Sequence, residues 1–152
     1  MYGRSWQVRV VLGPQNDYFT HKGIDTFLHN EYVITPQADR MGYRLKGPPI
    51  EHKAGADILT DATPPGSIQV PGDGMPIILL ADGQTTGGYS KIAVVISVDQ
   101  DLLAQGKPGD ELRFQRVTIL EAHRLLEKME KKIQGIKKAF MAVRMAIEEH
   151  DT

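Results

Sequence analysis

Three stretches of this sequence gather the residues best suited to hold a small polar molecule, and each sits among turn-forming glycines and prolines. The first, Pro36 to Leu45, carries Arg40 and Arg44 four residues apart around a Gly42-Tyr43 step. Either guanidinium can grip a carboxylate or phosphate through two parallel hydrogen bonds, and Tyr43 can offer a hydroxyl or a ring face. The plainer alternative is an arginine paired to Asp39 at the start of a strand. The second, Pro64 to Pro76, contains Gln69, whose amide can donate to and accept from a planar polar ligand at once. In this stretch too there is a plainer role, tying down a turn through backbone hydrogen bonds. The third, Asp82 to Lys91, supplies Gln84, Thr85 and Thr86 as hydrogen-bonding side chains, Gly87 and Gly88 as points of close backbone approach, and Tyr89 as a stacking surface. A plain hairpin turn explains two glycines but not the accompanying amide and hydroxyls.

Other chemistries lack their spacing. No Walker loop is present, and Gly72-Asp73-Gly74 fails as a dinucleotide fingerprint because Ile77 stands where the third glycine belongs. Ser5, Ser67, Ser90 and Ser97 lie in no nucleophile elbow. His21 and His29 are isolated, and Glu148-Glu149-His150-Asp151 reads as a polar terminus, so no metal site is assigned. His52, beside Glu51 and Asp57, is either an acid/base group or an exposed loop histidine. No catalytic nucleophile or base emerges from the pattern.

These loops need a scaffold, and the remaining residues describe one. The chain has 152 residues, no cysteine, 18 Lys+Arg against 19 Asp+Glu, and a formal net charge of −1. The absence of cysteine excludes disulfides and thiolate zinc, and the near-neutral charge gives no reason to expect nucleic acid or an anionic membrane as partner. No apolar run reaches the roughly 18 residues of a membrane-spanning helix, and the amino terminus lacks a secretory signal, so a cytoplasmic protein is expected.

Short apolar runs at Gln7 to Leu12, Glu31 to Thr35, Tyr43 to Lys46, Ser67 to Val70, Pro76 to Ala81, Lys91 to Val98 and Glu111 to Thr118 predict strands, with a short helix within Asp17 to His29. Asp101 to Gln105 predicts a helical turn, and Gly106-Lys107-Pro108-Gly109-Asp110 a tight turn. The fold expected over residues 1–117 is mainly β, a barrel or sandwich. From residue 118 to the end the pattern is one helix, opened by a Thr118/Glu121 capping box. Its apolar residues Leu126, Met129, Ile133, Ile136, Phe140, Val143 and Ile147 recur in steps of three and four. That seam suits a coiled-coil self-association, a partner helix, or a helix lying on its own barrel.

The blocks Asp39 to Leu45, Ile68-Gln69-Val70-Pro71 and Gln84 to Tyr89, in this order, resemble the carboxyltransferase-like family of the 5-oxoprolinase C subunit, also labelled allophanate hydrolase subunit 2 or urea amidolyase-related protein. Leu12-Gly13-Pro14-Gln15 and the closing strand and helix fit the same resemblance, which covers nearly the whole chain. Ser90, where the family more often has proline, and Ala38, where serine is common, depart from it. Family members run to about twice this length, so the chain resembles their carboxy-terminal half, as a truncation or a split gene product. The implied fold is a cyclophilin-like β-barrel with a long C-terminal helix.

The implied function is a component of an ATP-dependent 5-oxoprolinase, a hydrolase complex opening the lactam of 5-oxo-L-proline to L-glutamate. The missing amino-terminal half and proteins like the A and B subunits of 5-oxoprolinase are the implied partners, ATP not necessarily binding this chain, which is expected to be inactive alone. Arg40 is then expected at an anion or oxyanion, Tyr43 and Gln69 as orienting groups, and Thr85, Thr86, Gly87 and Gly88 as donors. Arg44, Gln84 and Tyr89 complete the candidate set. A second enzymatic reading is a urea carboxylase or allophanate hydrolase component, with biotin carried by another protein because Lys128-Met129 is preceded by Glu127 and lacks the flanking methionines of a biotin acceptor. A different class is a regulatory module that antagonises a kinase inhibitor.

Overall fold

A computed structural model of the chain describes residues 4–81, 83 and 86–150. The chain forms two compact units, 1–118 and 119–152. Within the first unit β1 (Ser5–Leu12), β2 (Glu31–Asp39), β3 (Gly42–Lys46), β5 (Ser67–Gln69), β6 (Ile77–Leu79), β8 (Lys91–Val95) and β9 (Glu111–Arg116) close into a barrel in the order β1-β8-β5-β6-β3-β2-β9. A separate two-stranded sheet joins β4 (Asp57–Ala62) to β7 (Thr86–Tyr89). Between strands lie a 3-10 turn, Asn16–Tyr18, and the helices α1 (His21–His29) and α2 (Ser97–Leu103). The mainly β barrel expected from the sequence is therefore the observed architecture.

Alternation explains the barrel wall. Trp6, Val8 and Val10 of β1 face inward, as do Tyr32 and Ile34 of β2, Tyr43 and Leu45 of β3, and Leu112 and Phe114 of β9, and all join one apolar core. Phe27 of α1 stacks on Phe114 with ring centroids 4.5 Å apart. The barrel closes where β1 runs parallel to β9 over six consecutive rungs, Ser5↔Glu111 to Val10↔Arg116.

Two buried aspartates fasten that closure. Asp110, in a turn where Gly109 takes a φ of +94°, accepts from the Arg4 and Lys107 backbone N–H groups, at 2.9 Å each. Only glycine adopts such a φ cheaply. Asp99 of α2 accepts from the Arg9 backbone N–H at 2.8 Å and from its guanidinium at 3.1 and 2.7 Å.

The strand expected over Lys91 to Val98 ends at Val95, because Ile96 is the extended cap from which α2 begins at Ser97. The helix expected within Asp17 to His29 starts only at His21, where the Thr20 hydroxyl accepts from the Gly23 N–H at 2.9 Å. β4 and β7 were not legible as strands, since Asp57 to Ala62 and Thr86 to Tyr89 show no apolar alternation.

The second unit is the single helix α3, Ile119–His150. None of its residues is buried, and Ile133, Ile136, Phe140, Val143 and Ile147 of the apolar seam are 42–71% exposed.

Two stability tests follow from the barrel. Asp99→Ala removes the acceptor of three hydrogen bonds at a buried site and is expected to cost about 2–3 kcal/mol in chemical denaturation. Tyr32 is fully buried, with its hydroxyl donating to the Pro48 carbonyl at 2.8 Å, and burial pushes its phenol up to about 12. An unfolded tyrosine ionises near ~10, so this contribution to stability is intact below ~10 and is lost as pH rises toward the folded value. Denaturation midpoints tracked together with tyrosinate absorbance should fall over that window, and Tyr32→Phe should flatten the fall.

Candidate functional site

The β2–β3 hairpin presents the two arginines differently. Asp39 pairs with Gly42 across the ladder, leaving Arg40 and Met41 as the loop. The Asp39 carboxylate accepts from the Met41 and Gly42 N–H groups at 2.8 and 3.2 Å, and among the described residues it forms no ion pair with either arginine. Because successive side chains of β3 alternate, Tyr43 turns into the core and Arg44 out of the wall. Tyr43 donates its hydroxyl to the Gly106 carbonyl at 3.3 Å. Its phenol is pushed up chiefly by burial, against the lowering effect of that backbone bond, with the Asp110 charge adding to the rise.

The candidates consequently divide between two grooves. Arg40 and Tyr43 border one of about 390 Å³, shared with Ala104, Gly106 and Lys107. Arg44, Gln69 and Tyr89 line a second, of about 220 Å³, together with Asp39, Ile77 and Leu79. Arg44 also borders an adjoining groove of about 250 Å³ that includes Lys46 and Asp73. Thr86, Gly87 and Gly88 belong to β7, whereas Gln84 and Thr85 lie outside the described residues. His52 is tied to the barrel, its Nε2 2.8 Å from the Val70 carbonyl and its ring 4.7 Å from Phe19.

Gln69 stands at the wall of the second groove and is 4% exposed, yet its Nε2 has no hydrogen-bond partner among the described residues. Gly87 makes room for this amide, since a Cβ there would collide with Gln69 Nε2 and come within 3.2 Å of Thr63 Cγ2. Gly88 has no such neighbour, the nearest atom to a Cβ being the Ile58 carbonyl oxygen at 3.8 Å.

Beside Gln69 stands a group that pattern reading passed over. Lys91 is 1% exposed, and its Nζ lacks a hydrogen-bond partner among the described residues, with the Asp61 carboxylate 3.8 Å away. Asp61 also accepts from the Gln15 side-chain amide at 3.4 Å, while Gln15 Oε1 accepts from the Lys91 backbone N–H at 2.9 Å. Strict alternation would put Lys91 on the face of Ala93 and Val95. A register shift intervenes, so that Ile68 opposes Ala93 but Gln69 opposes Lys91, leaving Ile92 as the extra residue of a bulge. Lys91 and Gln69 thereby share a face. Ser90, fully buried and with no partner for its Oγ among the described residues, precedes Lys91. An ammonium withdrawn from water with so little compensation is costly.

Comparison with known proteins places these features in context. Residues 1–116 match the family model for the carboxyltransferase domain, subdomains A and B. The chain is 42% identical over 123 residues to the C subunit of 5-oxoprolinase from Haemophilus influenzae, covering 81% of this chain and 40% of that protein. It is 36% identical over 116 residues to the C subunit of 5-oxoprolinase from Escherichia coli, covering 76% and 37% respectively. The chain thus spans about two fifths of the length of these relatives. Among solved structures it resembles the K. lactis urea amidolyase, with a TM-score of 0.82 and 26% identity, covering 89% of this chain and 9% of that one.

The two glycines of β7 give a paired test. Gly87→Ala should displace the Gln69 amide and cost about 1–3 kcal/mol, whereas Gly88→Ala should change stability by less than about 0.5 kcal/mol. Denaturation curves, with the Gln69 side-chain amide resonances as a local probe, check both.

Proposed function

Because the chain belongs to the carboxyltransferase-domain family, we propose that it is a component of an ATP-dependent 5-oxoprolinase, corresponding to the carboxy-terminal part of a protein like that enzyme's C subunit. The observation that carries this reading is the groove that an arginine without an ion-pair partner among the described residues lines together with Gln69 and Tyr89. A lactam bearing a carboxylate matches this lining: the Arg44 guanidinium takes the carboxylate in a two-pronged contact, and the Gln69 side chain at the groove wall orients the ring. Tyr89 offers a ring to the flat face of the substrate, and Ile77 and Leu79 supply apolar wall.

This chain lacks a glycine-rich phosphate loop of Walker type, so ATP is assigned to the A-like and B-like partners. With the chain covering about two fifths of its C-subunit relatives, the groups that complete the site are assigned to the remaining part of that protein.

The test is ATP hydrolysis by the chain reconstituted with that remaining part and with the A-like and B-like partners, with and without 5-oxoproline. Strict dependence on 5-oxoproline is expected. Arg44→Ala and Gln69→Leu should each lower kcat/KM by about 10- to 100-fold, and Arg40→Ala, in the other groove, by much less. Dependence on urea and carboxybiotin would instead establish the carboxylase reading. A folded, assembled complex with neither activity would favour the regulatory one.

A further inference from the structure

We propose that Lys91 and Gln69 form a binding site for a small planar oxyanion, a carboxylate or a carbonate, beneath the β4–β7 sheet, with Asp61 as the resident counter-ion that the oxyanion displaces. Two facing rungs carry this inference. In the barrel wall Gln69 pairs with Lys91; in the covering sheet Asp61 pairs with Gly87. The rungs meet residue by residue: Gln69 Nε2 lies against Gly87, and Lys91 Nζ lies 3.8 Å from Asp61. The side-chain ammonium and amide are therefore brought together in one layer between two backbones.

Both groups without a hydrogen-bond partner among the described residues are donors, and one is cationic. An ammonium presents three N–H groups and a primary amide two, none of which can accept, so the ligand must supply acceptors and negative charge. A planar anion with two or three oxygens can span adjacent donors of this kind, and hydrogen bonds to it are charge-assisted. Lys91 and Gln69 are 1% and 4% exposed, so water screens such bonds weakly.

Asp61 does not satisfy the lysine. Its carboxylate oxygen stands at 3.8 Å, beyond hydrogen-bond range, and its side chain is 53% exposed. That carboxylate can turn toward solvent at low cost, whereas the Lys91 ammonium cannot. A partner of this kind leaves an anion site electrically balanced while empty. The irregular β4–β7 pairing, with a register shift between Asp57 and Asp61, puts an interruption next to the Asp61↔Gly87 rung.

This binding claim does not depend on the reaction proposed above, because it is tested on the chain alone, without ATP or partners. Sodium acetate and sodium bicarbonate are titrated separately against the folded chain, with sodium chloride at matched ionic strength as reference. Thermal unfolding and the Gln69 side-chain amide resonances are read together. At least one of the two anions should give a saturable rise in Tm and a saturable shift of those resonances.

Lys91→Met should weaken that affinity about tenfold or more while leaving the chain folded with an equal or higher Tm, because an uncompensated buried charge has been removed. Asp61→Asn should tighten binding severalfold, since a competing carboxylate is gone. A response to acetate alone identifies an organic carboxylate as the ligand, and a response to bicarbonate alone or to both identifies a carbonate-sized site. No response to either beyond chloride overturns the proposal, as does undiminished binding in the Lys91→Met chain. Should Lys91→Met fail to fold, unmoved Gln69 resonances in the wild-type chain overturn it equally. Weaker binding in Asp61→Asn removes the displacement role of Asp61.

Discussion

Between Ser5 and Val10 the first strand of the barrel lies parallel to the last, β9, and this ladder turns a sheet with two open edges into a closed wall. Parallel neighbours cannot be joined by a tight hairpin, so the whole intervening chain is spent between the two partners. The closure is held from both sides. Asp110 binds the Arg4 amide at the start of β1, and Asp99 of α2 binds the Arg9 amide and guanidinium near its end. With β1 fixed, the rungs Val10↔Val95 and Leu12↔Ala93 set the position of β8, and β8 in turn sets β5. The placement of Gln69 against Lys91 is the far end of that chain of registers.

A closed barrel of this size fills its interior with apolar side chains, so polar chemistry has to sit on the outside. Here Gly87 of β7 lies against the Gln69 amide and Asp61 of β4 stands 3.8 Å from the Lys91 ammonium, and the polar side chains of Gln69 and Lys91 are buried. Gln69, Ser90 and Lys91 keep side-chain atoms without a partner among the described residues, whereas the backbone around them is bonded, for example through Val70 N–H to the Ser90 carbonyl and Ser90 N–H to the Ala56 carbonyl. A structural role alone would favour apolar residues at such positions, since filling the space without desolvating donors is cheaper.

The two arginines of the hairpin show how backbone position divides similar residues between separate grooves. Arg40 lies in the two-residue loop and borders the groove shared with Gly106 and Lys107, while Arg44 lies on the strand and opens onto the groove shared with Gln69 and Tyr89. Their shared neighbour Tyr43 is committed to the core. The C-subunit relatives extend well beyond the matched region, which covers about two fifths of their length.

Local signals in the sequence determined the barrel strands, the tight turn at Gly109, the long terminal helix and stretches that border surface grooves, because alternation, turn chemistry and helical periodicity act over a few neighbouring residues. They also marked Gln69, Arg44 and Tyr89, which share one groove. Only the tertiary structure decided that Arg40 lies elsewhere, that Tyr43 faces inward, and that β4 and β7 are strands at all. It alone revealed Lys91, since alternation along β8 assigns that residue to the wrong face and the correction is a one-residue bulge against β5. A bulge is fixed by the register of a distant partner strand. The charge it buries was therefore visible in the sequence only as a lysine at the head of an apolar run.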